Sequence, residues 1–122
     1  MDALSPKPFE EAARRAFPFG MASLASEAAW ELSSFVDDTY RQRSEAIDVK
    51  GQMVAIPRRL HLIGMSADTD GLSNLNLASR CLITRATDGR LRQQAVRSII
   101  EHQSAWVAPF VLMLLGEYVI EI

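Results

Sequence analysis

Apolar residues recur at helical spacing along most of the chain, and the densest apolar run lies between 104 and 122. Every residue from 110 to 115 is apolar, so a helix in this stretch has no polar face, which indicates that it is buried. Pro109 is tolerated in the first turn of a helix but not deep inside one. The pattern therefore predicts a C-terminal helix that begins near Val107 or Ala108 and around which the other elements pack.

The same spacing predicts four more helices, expected over 9–17, 21–46, 71–86 and 89–103. The helix over 21–46 has the strongest periodic signal in the chain, and small residues on its apolar face would let another helix approach closely. Asp88 is expected to cap the start of the helix over 89–103.

No helical period is present between 47 and 57, where Gly51 and Pro57 punctuate the chain. An extended segment through Met53, Val54 and Ile56 is the alternative, but the pattern favours a loop. The stretch is therefore expected to connect helices and not to form a regular element of its own.

Together these elements predict an all-α fold, a compact bundle of about five helices around a buried C-terminal helix. A chain of 122 residues is long enough for one hydrophobic core, so a single helical domain over 1–122 is expected. The segment 1–8, which contains two prolines, is expected to be a loose N-terminal arm.

Charge and composition argue against several partners and compartments. The net charge of −2 gives no strong field for nucleic acid or for a membrane surface. Five arginines and one aspartate between 80 and 97 leave nucleic-acid binding as a less favoured interpretation, because no aromatic residue lies among them. The apolar run over 105–115 is too short to span a bilayer, for which a helix needs about 20 apolar residues. The single cysteine and an N-terminus without signal-peptide character favour a cytoplasmic protein.

Residues with metal-binding or nucleophilic chemistry are few and poorly spaced. His61, Cys81 and His102 do not lie at zinc-ligand spacing. A calcium loop that includes 68–71 would need a glutamate where Leu77 stands. No metal and no cofactor is therefore predicted, and Cys81 is expected to be an inert cysteine.

Paired acids occur at helical spacing, as Glu27 with Glu31 and Glu117 with Glu121. They lack the Glu-x-x-His motif that completes the carboxylate frame of di-iron bundles, so solvated helix faces are the favoured interpretation. The sequence contains no catalytic constellation, and an enzyme is the least favoured functional class.

The last third of the chain resembles two known patterns. The stretch over 88–115 resembles a HEAT-type helical repeat, with Asp88, Arg92, Ala95 and Ile99 followed by the Val-x-Pro start of a second helix. The segment from about 81 to 122 also resembles the C-terminal part of an uncharacterised bacterial family. The shared motifs are Thr-Arg-x-Thr-Asp-Gly, Trp-Val-x-Pro-Phe and Leu-Leu-Gly-Glu-Tyr-Val-x-Glu-Ile, here at 84–89, 106–110 and 114–122. The resemblance implies an antiparallel helix pair and no known activity.

Two sets of residues are the candidates for function. The first would line a small-ligand pocket near 47–64 and consists of His61, Arg85, His102 and Trp106. The second would form an interface and consists of Arg92, Glu117, Tyr118 and Glu121. We expect a non-enzymatic interaction module that forms a homodimer or binds a protein partner, because so short a chain cannot cover all its apolar helix faces. A small-ligand or regulatory binding domain is the alternative.

Overall fold

A computed structural model describes residues 8–37, 43–66, 69–102 and 104–120 of the chain. These residues form six α-helices, a 3-10 turn at Phe19–Met21 and one antiparallel sheet of two strands. In chain order the elements are α1 (Pro8–Arg15), α2 (Ala22–Leu32), β1 (Ser44–Val49), β2 (Gln52–Pro57), α3 (Thr69–Ser73), α4 (Leu77–Ile83), α5 (Gly89–Ile99) and α6 (Ala108–Ile120). The fold is therefore mixed, and the all-α expectation is wrong. Of the expected arm at 1–8, all but the last residue lies outside the described residues.

Three of the expected helices are confirmed, since α1, α5 and α6 lie close to the ranges that the apolar spacing indicated. The start of α5 is capped as expected, because a side-chain oxygen of Asp88 accepts hydrogen bonds from the N–H of Arg90 at 2.8 Å and of Leu91 at 3.4 Å. These helices form where local spacing and capping agree.

The largest departure from the expected fold is a β-hairpin built from β1 and β2. Its two-residue turn consists of Lys50 and Gly51, whose φ angles of 50° and 85° are left-handed and match the twist of the paired strands. The side chain of Asp48 accepts a hydrogen bond from the Gly51 N–H at 2.7 Å. Val54 and Ile56 of β2 point into the core and are buried, so the apolar residues that were assigned to a loop are strand residues.

Helix α2 ends at Leu32, so the expected helix over 21–46 is wrong for 33–37 and for 43–46, and its remaining part, 38–42, lies outside the described residues. The N–H groups of Phe35 and Val36 both donate to the Leu32 carbonyl, at 2.9 and 3.2 Å, which turns the chain out of the helix. Val36 then pairs as an antiparallel bridge with Leu62. Pairing with a distant segment overrides the local helical spacing here.

The helix expected over 71–86 is two helices, α3 and α4, with a break at Asn76. The Asn76 side chain caps α4 by accepting from the Ser79 N–H at 2.8 Å. Glu31 of α2 accepts hydrogen bonds from the Asn76 N–H at 3.1 Å and from the Ser79 hydroxyl. Glu31 is therefore a partly buried anchor for the start of α4, and its assignment to a solvated face is wrong.

Helix α6 buries only one side, so the expectation that every face is covered over 110–115 is also wrong. Phe110 and Leu114 are buried, whereas Leu112 and Leu115 are 64% and 54% exposed. The wall on the inner side includes Phe17, whose ring stacks on Phe110 with a centroid distance of 5.3 Å. The rest of the core lies between α1, α2, α4, α5 and the hairpin.

The hairpin turn gives a direct test of the corrected fold. Gly51→Ala is expected to lower the free energy of unfolding by about 1–2 kcal/mol, because an L side chain is disfavoured at a left-handed φ. Gly20→Ala is the control, since a Cβ meets no atom within 4 Å at either glycine but Gly20 does not have a left-handed φ, and it should change stability by less than about 0.5 kcal/mol. Urea unfolding of both variants measures the difference, and equal stabilities would contradict the hairpin.

Candidate functional site

A short extended segment, 60–63, is hydrogen-bonded to two other parts of the fold, and three of the predicted site residues lie in or around it: His61, Arg85 and Arg92. Backbone hydrogen bonds of 2.7 to 3.0 Å connect it to 85–87 on one side and to 35–37 on the other. Leu60 and Leu62 in this segment are buried. We call 60–63, together with 35–37 and 85–87, the central junction.

Arg85 stands at this junction and is fully buried. Its Nε donates to the carbonyl of Pro57 at 3.1 Å, and its Nη2 donates to the carbonyl of Arg58 at 2.7 Å. The guanidinium therefore connects the end of β2 to the segment after α4. In this position Arg85, expected to bind a ligand, binds the chain's own backbone.

Arg92 and His61 also face the central junction. Arg92 Nη1 donates to the carbonyls of Ala86 and Thr87, at 2.9 and 3.0 Å. The Nδ1 of His61 lies 3.2 Å from the Thr87 hydroxyl oxygen. The structure thus brings Arg92 of the expected interface close to two residues of the expected ligand pocket, around the connection between α4 and α5.

The other two residues of the expected pocket lie elsewhere. His102 is exposed just after α5, where its backbone N–H donates to the Ile99 carbonyl at 2.9 Å. Trp106 is partly buried, and its ring meets the ring of Phe17 edge-on at 5.5 Å. None of the four expected ligand residues lines either of the two clefts described for this chain.

Three of the four expected interface residues cannot be placed by their contacts. Glu117 and Tyr118 belong to α6, but their side chains lie outside the described residues, as does all of Glu121. Their role in an interface stays a prediction.

A different surface of α6 stands out, which we name the α6 outer face: Ala108, Leu112, Leu115 and Gly116. All four residues are exposed, and all are apolar or small. They recur at spacings of four, three and one, which puts them on one side of the helix. A Cβ added to Gly116 would meet no atom within 4 Å, so this end of the face is open.

A shallow cleft of about 280 Å³ adjoins the α6 outer face. Its walls are the hairpin tip on one side and α6 with the preceding turn on the other. Apart from Asp48 and Lys50, the lining is apolar: Ile47, Val49, Ala105, Ala108, Pro109, Leu112 and Met113. The apolar surface of α6 therefore continues towards the hairpin.

Cys81 is the one cysteine of the chain and is buried as a free thiol. Burial raises the pKa of its thiol to about 12, although the positive charge of Arg80 acts in the opposite direction. The thiol is protonated at neutral pH, so Cys81 does not present the thiolate that nucleophilic attack requires. Within the described residues, no three His, Cys, Asp or Glu residues form a group that could hold a metal ion.

Comparison with protein-family models, curated proteins and solved structures finds no match to this chain. The resemblances of the C-terminal third therefore stay predictions. None of the helices that the structure describes is long and apolar enough to cross a membrane.

The structural role of Arg85 is testable by substitution. Arg85→Met should lower the free energy of unfolding by about 2–4 kcal/mol, because two carbonyls lose their buried donors. Arg97→Met, at an exposed position of α5, is the control and should cost less than about 0.5 kcal/mol. Thermal and urea unfolding decide, and an Arg85→Met protein as stable as the control would contradict the structural role of Arg85.

Proposed function

We propose that this protein is a non-enzymatic interaction module that works as a homodimer, in which the α6 outer face of one protomer packs on the same face of its partner. The observation that carries the proposal is the exposure of Leu112 and Leu115, 64% and 54%, on a helix whose opposite side lies in the core. Single exposed apolar residues are common, but a continuous apolar helix face is typical of a contact surface.

The order of residues along the α6 outer face fits a second copy. Ala108 and Gly116 lie four residues before and four residues after Leu112. In an antiparallel crossing centred on Leu112, Ala108 faces the partner's Gly116, and the two Leu112 side chains meet at the twofold axis. A face with this symmetry matches itself, as a twofold interface requires.

The residue sizes support close helix packing. Residues four apart form ridges on a helix, and ridges of this kind interdigitate at a crossing angle of about −50°. Ala108 and Gly116, at the two ends of the ridge, have small side chains, so the backbones of the two helices can come close there. The cleft of about 280 Å³ beside Leu112 offers a recess for a side chain of the partner.

Nucleic-acid binding has less support than it had from charge alone. Three of the five arginines between 80 and 97 donate hydrogen bonds to carbonyls of this chain: Arg80 to Ser98, Arg85 to Pro57 and Arg58, and Arg92 to Ala86 and Thr87. The small-ligand alternative is also weaker, since its expected residues do not converge on a described cleft. We place the module in the cytoplasm, because a lone free thiol suits a reducing compartment.

Sedimentation equilibrium tests the homodimer. The wild-type chain should have twice the monomer mass of 13.6 kDa at micromolar concentration. Leu112→Glu should raise the dissociation constant by about a hundredfold, since it buries a charge at the twofold axis. Association should depend little on salt, because the α6 outer face carries no charge.

Ile100→Glu is the matched control, because Ile100 is 62% exposed at the end of α5 and lies outside the α6 outer face. It should sediment like the wild type. A wild-type mass of one chain at every concentration, or equal weakening by the two substitutions, would refute the proposal. Circular dichroism of each variant confirms that it is folded before the masses are compared.

A further inference from the structure

The outer edge of β2 carries backbone groups that point away from β1. Arg58 N–H donates to the Arg43 carbonyl at 2.7 Å, which fixes the pairs of strand residues that exchange hydrogen bonds. In the observed register Met53 and Ala55 fall between those pairs, so their N–H and C=O groups point outward. No other described segment makes a backbone hydrogen bond to either residue.

A groove of about 540 Å³ is lined by 52–55 of β2 and by Ala46 of β1. One wall comes from the hairpin, and the other comes from the end of α1 and the segment 17–22. Phe19 and Met53 are 86% and 67% exposed, and both line the groove. The two walls are joined where the Phe19 N–H donates to the Gln52 side-chain oxygen at 2.6 Å.

Arg14 and Arg15 give the groove a basic rim. Arg14 is held by Ser26 at 3.0 Å and by Glu10 at 3.3 Å. Arg15 pairs only loosely with Glu11, at 3.6 Å, and the two side chains are 70% and 62% exposed. An exposed pair of this kind contributes little free energy, so Arg15 can turn to an acidic group in the groove.

We propose that this groove binds an extended peptide segment of a partner protein, which adds to the β2 edge as a third strand and carries apolar side chains together with an acidic residue near Arg15. A peptide strand would hydrogen-bond to the outward backbone groups of Met53 and Ala55. Its alternate side chains would pack on the apolar lining of the groove, and its acidic residue would pair with the basic rim. This surface is separate from the α6 outer face.

A second copy of the chain fits the groove less well than a peptide. Pairing of two β2 edges would bring two basic rims, each with its own Arg14 and Arg15, to one interface, where like charges repel. Pro57, which has no N–H, limits the edge to a short strand, and a short extended peptide can pair with all of it.

Selection from a library of random dodecapeptides displayed on phage, with the full wild-type chain as bait, provides the probe. Selected peptides should alternate apolar residues and contain an acid, and a synthetic copy should bind in fluorescence polarisation. N-methylation at every second amide should abolish binding in one phase and spare it in the other, because only one edge of a strand faces β2. Failure to select any such peptide would refute the proposal.

Ala55→Pro removes the outward N–H of Ala55, one of the two that β2 presents, and should weaken peptide binding by about tenfold or more. The substitution takes no hydrogen bond from the hairpin, and Pro57 already occupies the equivalent phase two residues later. Ser44→Pro is the matched control: Ser44 is paired with Pro57, its N–H points to the opposite edge, and it does not line the groove. It should change the affinity by less than about twofold. Equal loss with both prolines would contradict strand addition at β2.

Charge reversal tests the rim. Arg15→Glu should lower the affinity for the acidic peptide by about fivefold. Replacing the acidic residue of the peptide by lysine should restore binding to that variant. If neither the Arg15→Glu substitution nor the peptide exchange changed the affinity, the proposed pairing of Arg15 with an acidic peptide residue would be refuted. If the Ala55→Pro variant sediments as a single chain while the wild type is a dimer, a second copy occupies the β2 edge and the peptide proposal is wrong.

Discussion

The central junction is the constraint on which the rest of the structure depends. The segment 60–63 shares backbone hydrogen bonds with 35–37 and with 85–87, and so brings together the end of α2, the hairpin and the link between α4 and α5. The buried side chain of Arg85 strengthens this junction, because it donates hydrogen bonds to the carbonyls of Pro57, the last residue of β2, and of Arg58, which follows it. A buried guanidinium is costly unless its donors are used, and here backbone acceptors use them. None of these contacts involves the outer side of α6.

The surfaces proposed for function are those that the junction does not cover. Helix α6 is attached through one side, where Phe110 stacks on Phe17 and Phe17 meets Trp106. Its other side, the α6 outer face, is left apolar and exposed. The hairpin is attached by its core-facing residues, which leaves the backbone edge of β2 free beside a groove. We propose a copy of the chain for the first surface and an extended peptide for the second, and the two surfaces share no residue.

Sequence alone predicted those parts of the fold that depend on neighbouring residues. Helix α5 follows from its spacing and its Asp88 cap, and α1 and α6 follow from their apolar positions. The hairpin was missed because its turn, Lys50–Gly51, is not one of the strong Asn-Gly signals. The length of α2 was overestimated because Val36 pairs with Leu62 of a distant segment. Burial was misjudged because it too depends on contacts between distant segments. Leu112 and Phe110 are equally apolar, and only the tertiary packing, in which Phe17 lies against Phe110, decides which of them is covered. The Ala108, Leu112, Gly116 spacing was readable in the sequence, but its exposure was not.

Disulfide trapping of Leu112→Cys tests the central claim most directly. In the proposed crossing, Leu112 of each protomer lies at the twofold axis, where the Cα atoms come within the roughly 4.4–6.8 Å that a disulfide spans. Cys81 does not compete, because its thiol is buried. Mild oxidation should give a covalent dimer of Leu112→Cys on a non-reducing gel, while Ile100→Cys, equally accessible to oxidant, stays largely monomeric. Absence of a dimer for Leu112→Cys, or cross-linking at the same rate for both variants, would contradict pairing through α6.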